Sequence, residues 1–282
     1  MNTGKIIFIT GLFIITVIIN MYPMGQRIKI MPMKAAKLEI QDGEVLKYIK
    51  SGEGTISENE MHVVSKIRND KLYGKVVDVY LGWPVGKEKK IMPSIYTNYE
   101  DKFTVSLNEA SLIYNRIDDF SNNVMNNEKG IFYEMVNVNK TENIAEIETK
   151  SWNGNDILQS KSRVKIKPGF PVFDLDALAY VGARYLDIKG PGIVYILEPV
   201  IMKEPLPVSL RFIKNEVIDT PCGKFNTVKV GGVIADPFLG KLIKSYMDEL
   251  FIWVENSERR LVVKIQSPSA TWILESITNT KE

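Results

Sequence analysis

The chain has 282 residues, of which 45% are hydrophobic and 25% are charged, enough for one large domain or two small ones. Its net charge of +2 excludes the strong basic excess that nucleic-acid-binding proteins usually carry. The single cysteine, Cys222, excludes an intramolecular disulfide, and the single histidine, His62, excludes metal motifs that need paired histidines or several thiolates. We therefore expect no cofactor, no metal site and no nucleic-acid partner.

The N-terminal segment Ile6–Ile19 is apolar and follows Lys5, the pattern of a secretory signal. Residues 6–24 are also nearly uncharged over roughly the 20 residues that a bilayer requires, so an uncleaved anchor is the alternative. The cleavage site is poor, and the cations that start at Arg27 oppose an anchor only mildly. We predict export, with membrane contact through residues 1–25 as a signal peptide or signal anchor. The expected location is the periplasm, or the inner membrane facing the periplasm.

We predict a linker over residues 26–42 and a single β-rich domain over residues 43–278, because short alternating runs separated by turn residues begin there. Two helices interrupt these runs: Leu175–Asp187, with Asp174 as its N-cap, and a second that opens at Pro237 and continues through Tyr246. The expected fold is mainly β: a curled antiparallel sheet, a half-barrel or open barrel, with two short helices packed on it. The predicted strands are Glu44–Lys50, Met61–Arg68, Leu72–Trp83, Ser111–Ile117, Ile131–Val138, Ile144–Lys150, Ile157–Lys167, Ile193–Pro199, Val208–Ile218, Phe225–Val233, Leu250–Glu255, Leu261–Gln266 and Thr271–Ile277.

The dipeptide Asn153-Gly154 is the clearest turn signal, because both residues tolerate the positive φ angles of a type I′ hairpin. A two-residue loop there pairs Glu146 with Lys161, Glu142 with Lys165 and Glu148 with Gln159. Cations recur at every second position of the second strand, at Lys161, Arg163, Lys165 and Lys167. They share one face, where a solvated outer surface is a simpler interpretation than an anion-binding stripe.

Three motifs with catalytic potential have simpler structural explanations. Ser162 and Lys165 match the S-x-x-K pattern, but that chemistry requires a helix, and in a strand these residues point to opposite faces. Asp174 and Asp176 are explained by helix capping. Cys222 lies in a Thr-Pro-Cys-Gly turn without a neighbouring base. We therefore predict that the protein is not an enzyme.

Three ordered blocks stand in the C-terminal half: GFPVFDLDALAYVGARYLD (Gly169–Asp187), EVIDTPCGKFNTVKV (Glu216–Val230) and IWVENSERRLVVKI (Ile252–Ile265). Together with GEVLKY (Gly43–Tyr48), they resemble the bacterial domain-of-unknown-function family 3108. The resemblance covers about Gly43–Ile277 and implies structural roles for the motif residues Asp174, Asp176, Tyr180, Arg184, Glu216, Pro221, Gly223, Phe225, Trp253 and Arg260. It also implies an exported protein whose sheet curls into a partial barrel, similar to the periplasmic lipoprotein carriers, and a family without an established activity.

A concave sheet of this kind suggests that an acyl chain or another apolar ligand binds inside it. The strand Leu250–Glu255 is apolar on both faces, so both must be covered, by helices or by a ligand. The candidate ligand-binding residues are Tyr48, Tyr80, Trp83, Phe251, Trp253 and Trp272. We predict a non-enzymatic envelope protein that binds a hydrophobic or lipid-like ligand in the curled sheet. The alternative is a structural or assembly protein that acts through contacts with an envelope protein partner, and a stable partner cross-linked in intact cells would favour it.

Overall fold

The computed structural model describes residues 31–51, 60–82, 101–118, 130–152, 156–174, 177–190, 192–197, 204–235, 250–267 and 270–280. The chain divides into two compact units, and all of these residues belong to the second, Met31–Glu282. The segment Ile6–Ile19, the Asn153-Gly154 turn and the helix expected from Pro237 lie outside the described residues. Within the described part of the chain, no helix is long and apolar enough to cross a membrane.

The described residues form a 15-stranded sheet. In chain order the strands are β1 (Glu44–Ser51), β2 (Glu60–Asp70), β3 (Gly74–Gly82), β4 (Asp101–Ser106), β5 (Ser111–Asp118), β6 (Gly130–Asn139), β7 (Ile144–Trp152), β8 (Ile157–Lys165), β9 (Val172–Phe173), β10 (Val194–Ile196), β11 (Leu206–Thr220), β12 (Gly223–Ile234), β13 (Phe251–Glu255), β14 (Val262–Gln266) and β15 (Thr271–Asn279). Neighbours run from β8 down to β1, then from β15 down to β9. Only β9 and β10 pair in parallel among these strands.

The prediction of a mainly β, antiparallel fold is confirmed, and the sheet is open rather than closed into a barrel. The prediction of two short helices packed on the sheet is not confirmed. In place of a helix over Leu175–Asp187 there is a π-helix, Leu178–Gly182, followed by one α-helical turn, Ala183–Tyr185. The helix ends early because Leu186 is extended and forms a β-bridge with Ala35 of the preceding segment.

Two strands were missed by the sequence pattern. β4 alternates between inward Phe103 and Val105 and outward Lys102 and Thr104, but it is only six residues long. β9 has two residues and forms only through its parallel pairing with β10. Two residues are too few for an alternating pattern in the sequence to predict a strand.

The β7–β8 hairpin has the predicted faces but a different register. Trp152 pairs with Ile157, which leaves four residues in the loop instead of two, and every pair shifts by two positions. The predicted pairs of Glu146 with Lys161, Glu142 with Lys165 and Glu148 with Gln159 are therefore wrong. Because a shift of two keeps each side chain on its face, Glu148 now faces Lys161, and Glu146 faces Arg163.

The sheet curls around two apolar clusters. The larger one joins inward residues of β1 to β5 with those of β10 to β15. The smaller one packs Val136 and Val138 of β6 and Ala145 and Ile147 of β7 against Val172 of β9. Buried Ser111 of β5 accepts a hydrogen bond from the Val172 N–H at 2.9 Å, so β5 also contacts β9.

Candidate functional site

The concave face of the sheet is filled by residues 178–186, which we call the buried helical segment. Leu178, Ala183, Tyr185 and Leu186 are at most 2% exposed and belong to the larger apolar cluster. Burial also raises the pKa of Tyr185 above its usual value. A ligand that occupied this face would have to displace these side chains.

Arg184 ties the buried helical segment to the first strand. Its guanidinium contacts both oxygens of Glu44, Nη1 to Oε1 at 2.5 Å and Nη2 to Oε2 at 3.1 Å. Its Nε donates to the Arg259 carbonyl at 3.0 Å. The two side chains are only 4% and 6% exposed, so this bidentate pair satisfies charges that have little access to water.

Arg260 satisfies the carbonyls at the end of the same segment. Its Nε donates to the Arg184 carbonyl at 2.8 Å, and its Nη2 donates to the Leu186 carbonyl at 2.6 Å. The last carbonyls of a helix have no donor within the helix, and a cation near a helix C-terminus is favourable. Arg260 itself has a positive φ of 49° in the β13–β14 turn, which directs it towards the segment.

The segment before β1 is bound to the domain by its backbone. Met33 N–H donates to the Ile193 carbonyl at 3.0 Å, and Ala36 N–H donates to the Tyr185 carbonyl at 2.7 Å. Gly192 allows this close approach, because a Cβ at that position would lie 2.5 Å from the Met33 Cα. We call residues 31–42 the strap.

A cavity of about 660 Å³ lies between the strap and four turns of the domain. The lining mixes apolar residues, among them Met31, Met33 and Phe170, with polar ones, among them Asn108 and Lys140. The full lining comprises Met31, Pro32, Met33, Lys34, Ala35, Asn108, Glu109, Lys140, Asn143, Gly169, Phe170, Pro171, Asp187 and Gly190. Its size falls in the range of roughly 300–1,000 Å³ that small-molecule sites occupy.

Lys140 is the most buried cation of this cavity, with a side chain only 16% exposed. Its Nζ lies 3.3 Å from Glu109 Oε2 and donates to the Phe170 carbonyl at 3.3 Å. An ammonium carries three donors, so these two contacts leave one for another acceptor. Burial lowers the pKa of Lys140, while the Glu109 carboxylate acts in the opposite direction.

The predicted ligand-binding residues do not converge on one place. Tyr48 and Trp272 belong to the larger core cluster, where the Tyr48 hydroxyl donates to the Val262 carbonyl at 2.7 Å. Tyr80 lies on the opposite face of the sheet, with the Lys102 ammonium 5.3 Å from its ring. Trp83 lies outside the described residues.

Phe251 and Trp253 also lie on the outer face, and lysine side chains cover them. Trp253 is 2% exposed, with the ammonium groups of Lys229 and Lys264 at 4.6 and 4.5 Å from its ring. Lysine stems commonly cover apolar surface while their charge reaches water. The second apolar face of β13 is therefore covered by neighbouring side chains rather than by a helix.

Charged groups on the outer face of β3 form a second network away from the cavity. Asp78 is 5% exposed and accepts from Arg68 Nε at 2.9 Å and from Thr104 Oγ1 at 2.7 Å, with Lys102 Nζ at 3.6 Å. Burial acts to raise the pKa of Asp78, but these partners outweigh it and lower that pKa below its usual value.

The motif residues of the family resemblance make local structural contacts where they are described. Asp174 Oδ1 accepts from the Ala177 N–H, as its N-cap position predicts. Glu216 accepts from Trp253 Nε1 at 3.0 Å, and this bond lowers the pKa of Glu216. Pro221 is exposed and Gly223 has φ 132° in the β11–β12 turn, while Phe225 is buried. Asp176 and the side chain of Tyr180 lie outside the described residues.

Sequence reasoning missed the cavity because its lining comes from turns and from the strap, none of which carries a periodic pattern. The one usable signal is Lys140, a lysine at the end of an apolar strand where the chain turns. Burial and the partners of such a lysine become apparent only from the tertiary structure.

No family model matches the chain, and no curated protein matches it. Two solved structures are similar to it at low level. A candidate exported protein with a YMCC-like fold from Bacteroides fragilis is 10% identical, with a TM-score of 0.31 over 87% of this chain and 100% of that chain. A candidate lipoprotein from Parabacteroides distasonis is 10% identical, with a TM-score of 0.30 over 87% of this chain and 99% of that chain. Likeness at these TM-scores assigns neither a fold nor a function to this chain.

Proposed function

We propose that this chain is a non-enzymatic, exported protein of the cell envelope that binds a small amphiphilic, lipid-like ligand. The ligand occupies the cavity beneath the strap and not the concave face of the sheet. The proposal of export rests on the apolar segment Ile6–Ile19. The observation that carries the binding proposal is the cavity itself, of about 660 Å³, in a domain whose concave face is already filled.

The lining offers both apolar and polar contacts, which fits an amphiphilic ligand. Met31, Met33 and Phe170 offer flexible and aromatic apolar contacts, and methionine adapts to ligands of irregular shape. Among the polar groups of the lining, the remaining donor of Lys140 and the amide of Asn108 suit a carboxylate or a phosphate oxygen. A fatty acid has this combination of groups.

Photolabelling of the full-length protein with a diazirine-bearing fatty acid tests the proposal. We expect the cross-links to fall in the strap and in the turns at residues 108–109, 140–143 and 169–171. Lys140→Met should weaken binding about tenfold, because a hydrogen bond between charged groups is lost. Lys224→Met is the matched control, since the Lys224 side chain is 74% exposed in the β11–β12 hairpin.

Cross-links confined to residues 178–186 would refute the assignment of the cavity and return the site to the concave face. Equal labelling of the protein and of its Lys140→Met variant would refute the role of the ammonium.

A further inference from the structure

Strand β8 ends the sheet and is exposed along almost its whole length. Its only neighbour among the described strands is β7, and every residue from Ile157 to Lys165 is exposed except the half-exposed Val164. The backbone groups of its outer edge are therefore available to another extended chain. Recognition by addition of a strand uses such an edge.

The β8 edge is also regular. All nine β7–β8 pairs are in register without a bulge, and β8 contains no proline. Residues 209–220 of β11, beyond its pairs with β10, also leave an edge open, but a register shift between Phe212 and Lys214 distorts that edge. Bulges, prolines and charged side chains are the usual devices that prevent a free edge from pairing. β8 lacks the first two and carries the third, so its charges decide which strands can pair with it.

One face of β8 carries a row of cations, Lys161, Arg163 and Lys165, which we call the cation row. The Lys161 and Arg163 side chains are 71% and 63% exposed. Lys161 contacts Glu148 of β7, while Arg163 contacts Glu146 of β7 and Glu142 of the turn before it. Lys165 faces Ile144 in β7, so no carboxylate lies opposite it there. Lys165 is therefore the cation of the row that β7 leaves unpaired, while Lys161 and Arg163 stay exposed enough to contact a further strand.

Strand β7 shows which kind of strand can pair with the cation row. Its glutamates alternate with small or apolar residues, and Glu148 contacts Lys161 at 2.9 Å while Glu146 contacts Arg163 at 3.0 Å. Two copies of β8 placed edge to edge would instead oppose cations to cations, and like charges opposite each other are unfavourable. The row therefore rejects a second copy of this chain and selects acidic strands.

We propose that the free edge of β8 is a docking site for an extended segment of a partner protein that carries a carboxylate at every second residue. The segment adds to the sheet as an antiparallel or parallel strand beside β8. Its acidic face meets Lys161, Arg163 and Lys165. This site is independent of the cavity beneath the strap.

The test uses the full-length protein and two synthetic ten-residue peptides of identical composition, one with alternating Glu and Thr, the other with the five Glu in one block. Hydrogen exchange measured by mass spectrometry should slow in residues 157–165 with the alternating peptide only, and the bulged edge in residues 209–220 serves as the internal control. The double variant Arg163→Gln/Lys165→Gln should bind about fivefold more weakly, since two favourable cross-strand charge pairs are lost. The matched control is Lys75→Gln/Lys224→Gln, which removes two exposed lysines elsewhere.

A gain-of-function variant separates docking from general attraction of anions. Lys165→Glu should bind a peptide that alternates Lys and Thr more tightly than the unmodified protein does. Equal protection of residues 157–165 by both acidic peptides would overturn the proposal, as would protection by anionic phosphatidylglycerol vesicles that matches that of the alternating peptide. Protection of residues 209–220 as strong as that of β8 would overturn it too.

Discussion

Arg184→Met is the most informative single perturbation of the fold, because it removes the cation of a buried pair. The Arg184 side chain is 4% exposed and Glu44 is 6% exposed, and three hydrogen bonds of the guanidinium are lost at once. Breaking a buried ion pair by removing one partner typically costs about 3–5 kcal/mol. We therefore expect the free energy of unfolding to fall by about 4 kcal/mol.

The assay is unfolding in urea, followed by tryptophan fluorescence. The two proteins can be compared if the slope of the free energy of unfolding against urea concentration is the same for both. The double variant Arg184→Met/Glu44→Leu should recover most of the loss, since no charge then remains buried. A loss of less than about 1 kcal/mol in the single variant, the range of exposed pairs, would refute the reasoning. So would a double variant that is less stable than the single one.

Three further predictions concern other parts of the domain. Gly192→Ala should destabilise the protein by about 1–3 kcal/mol in urea unfolding, because its Cβ would collide with Met33 of the strap. Ser111→Ala should cost about 1–3 kcal/mol in thermal unfolding by leaving the buried Val172 N–H unpaired. The depressed pKa of Asp78 contributes stability that is fully present above the usual pKa of 3.8 and is lost as the pH falls through the folded-state value. Asp78→Asn should therefore flatten the acid side of the stability profile, and an unchanged profile would exclude this role.

The strand pattern was predictable because alternation with period two depends only on which face is buried. The faces of β7 and β8 followed from it, but their register did not, since a turn signal at Asn153-Gly154 does not fix the loop length. The early end of the helix at Tyr185 depends on backbone bonds from the strap, which follows from no local sequence preference. Likewise, Trp253 is covered by lysine side chains from two neighbouring strands. The sequence pattern of its own strand cannot predict this contact.

The same limits apply to the site. Aromatic residues were natural candidates for an apolar ligand, but Tyr48 and Trp272 are core residues, and Trp253 is covered from the outside. The cavity is lined instead by residues far apart in sequence, among them Met33, Lys140 and Phe170. Such a set is assembled only when the strap binds along residues 185–193.

The central claim is that a lipid-like ligand binds beneath the strap. The most direct measurement is a crystal structure of the full-length protein with a fatty acid brominated at its terminal carbon, located by the anomalous signal of bromine. The account predicts a bromine peak in contact with Met31, Met33 or Phe170, and the carboxylate near Lys140. A peak among Leu178, Ala183 and Leu186 in the concave face, or no bromine peak at saturating ligand, would contradict it.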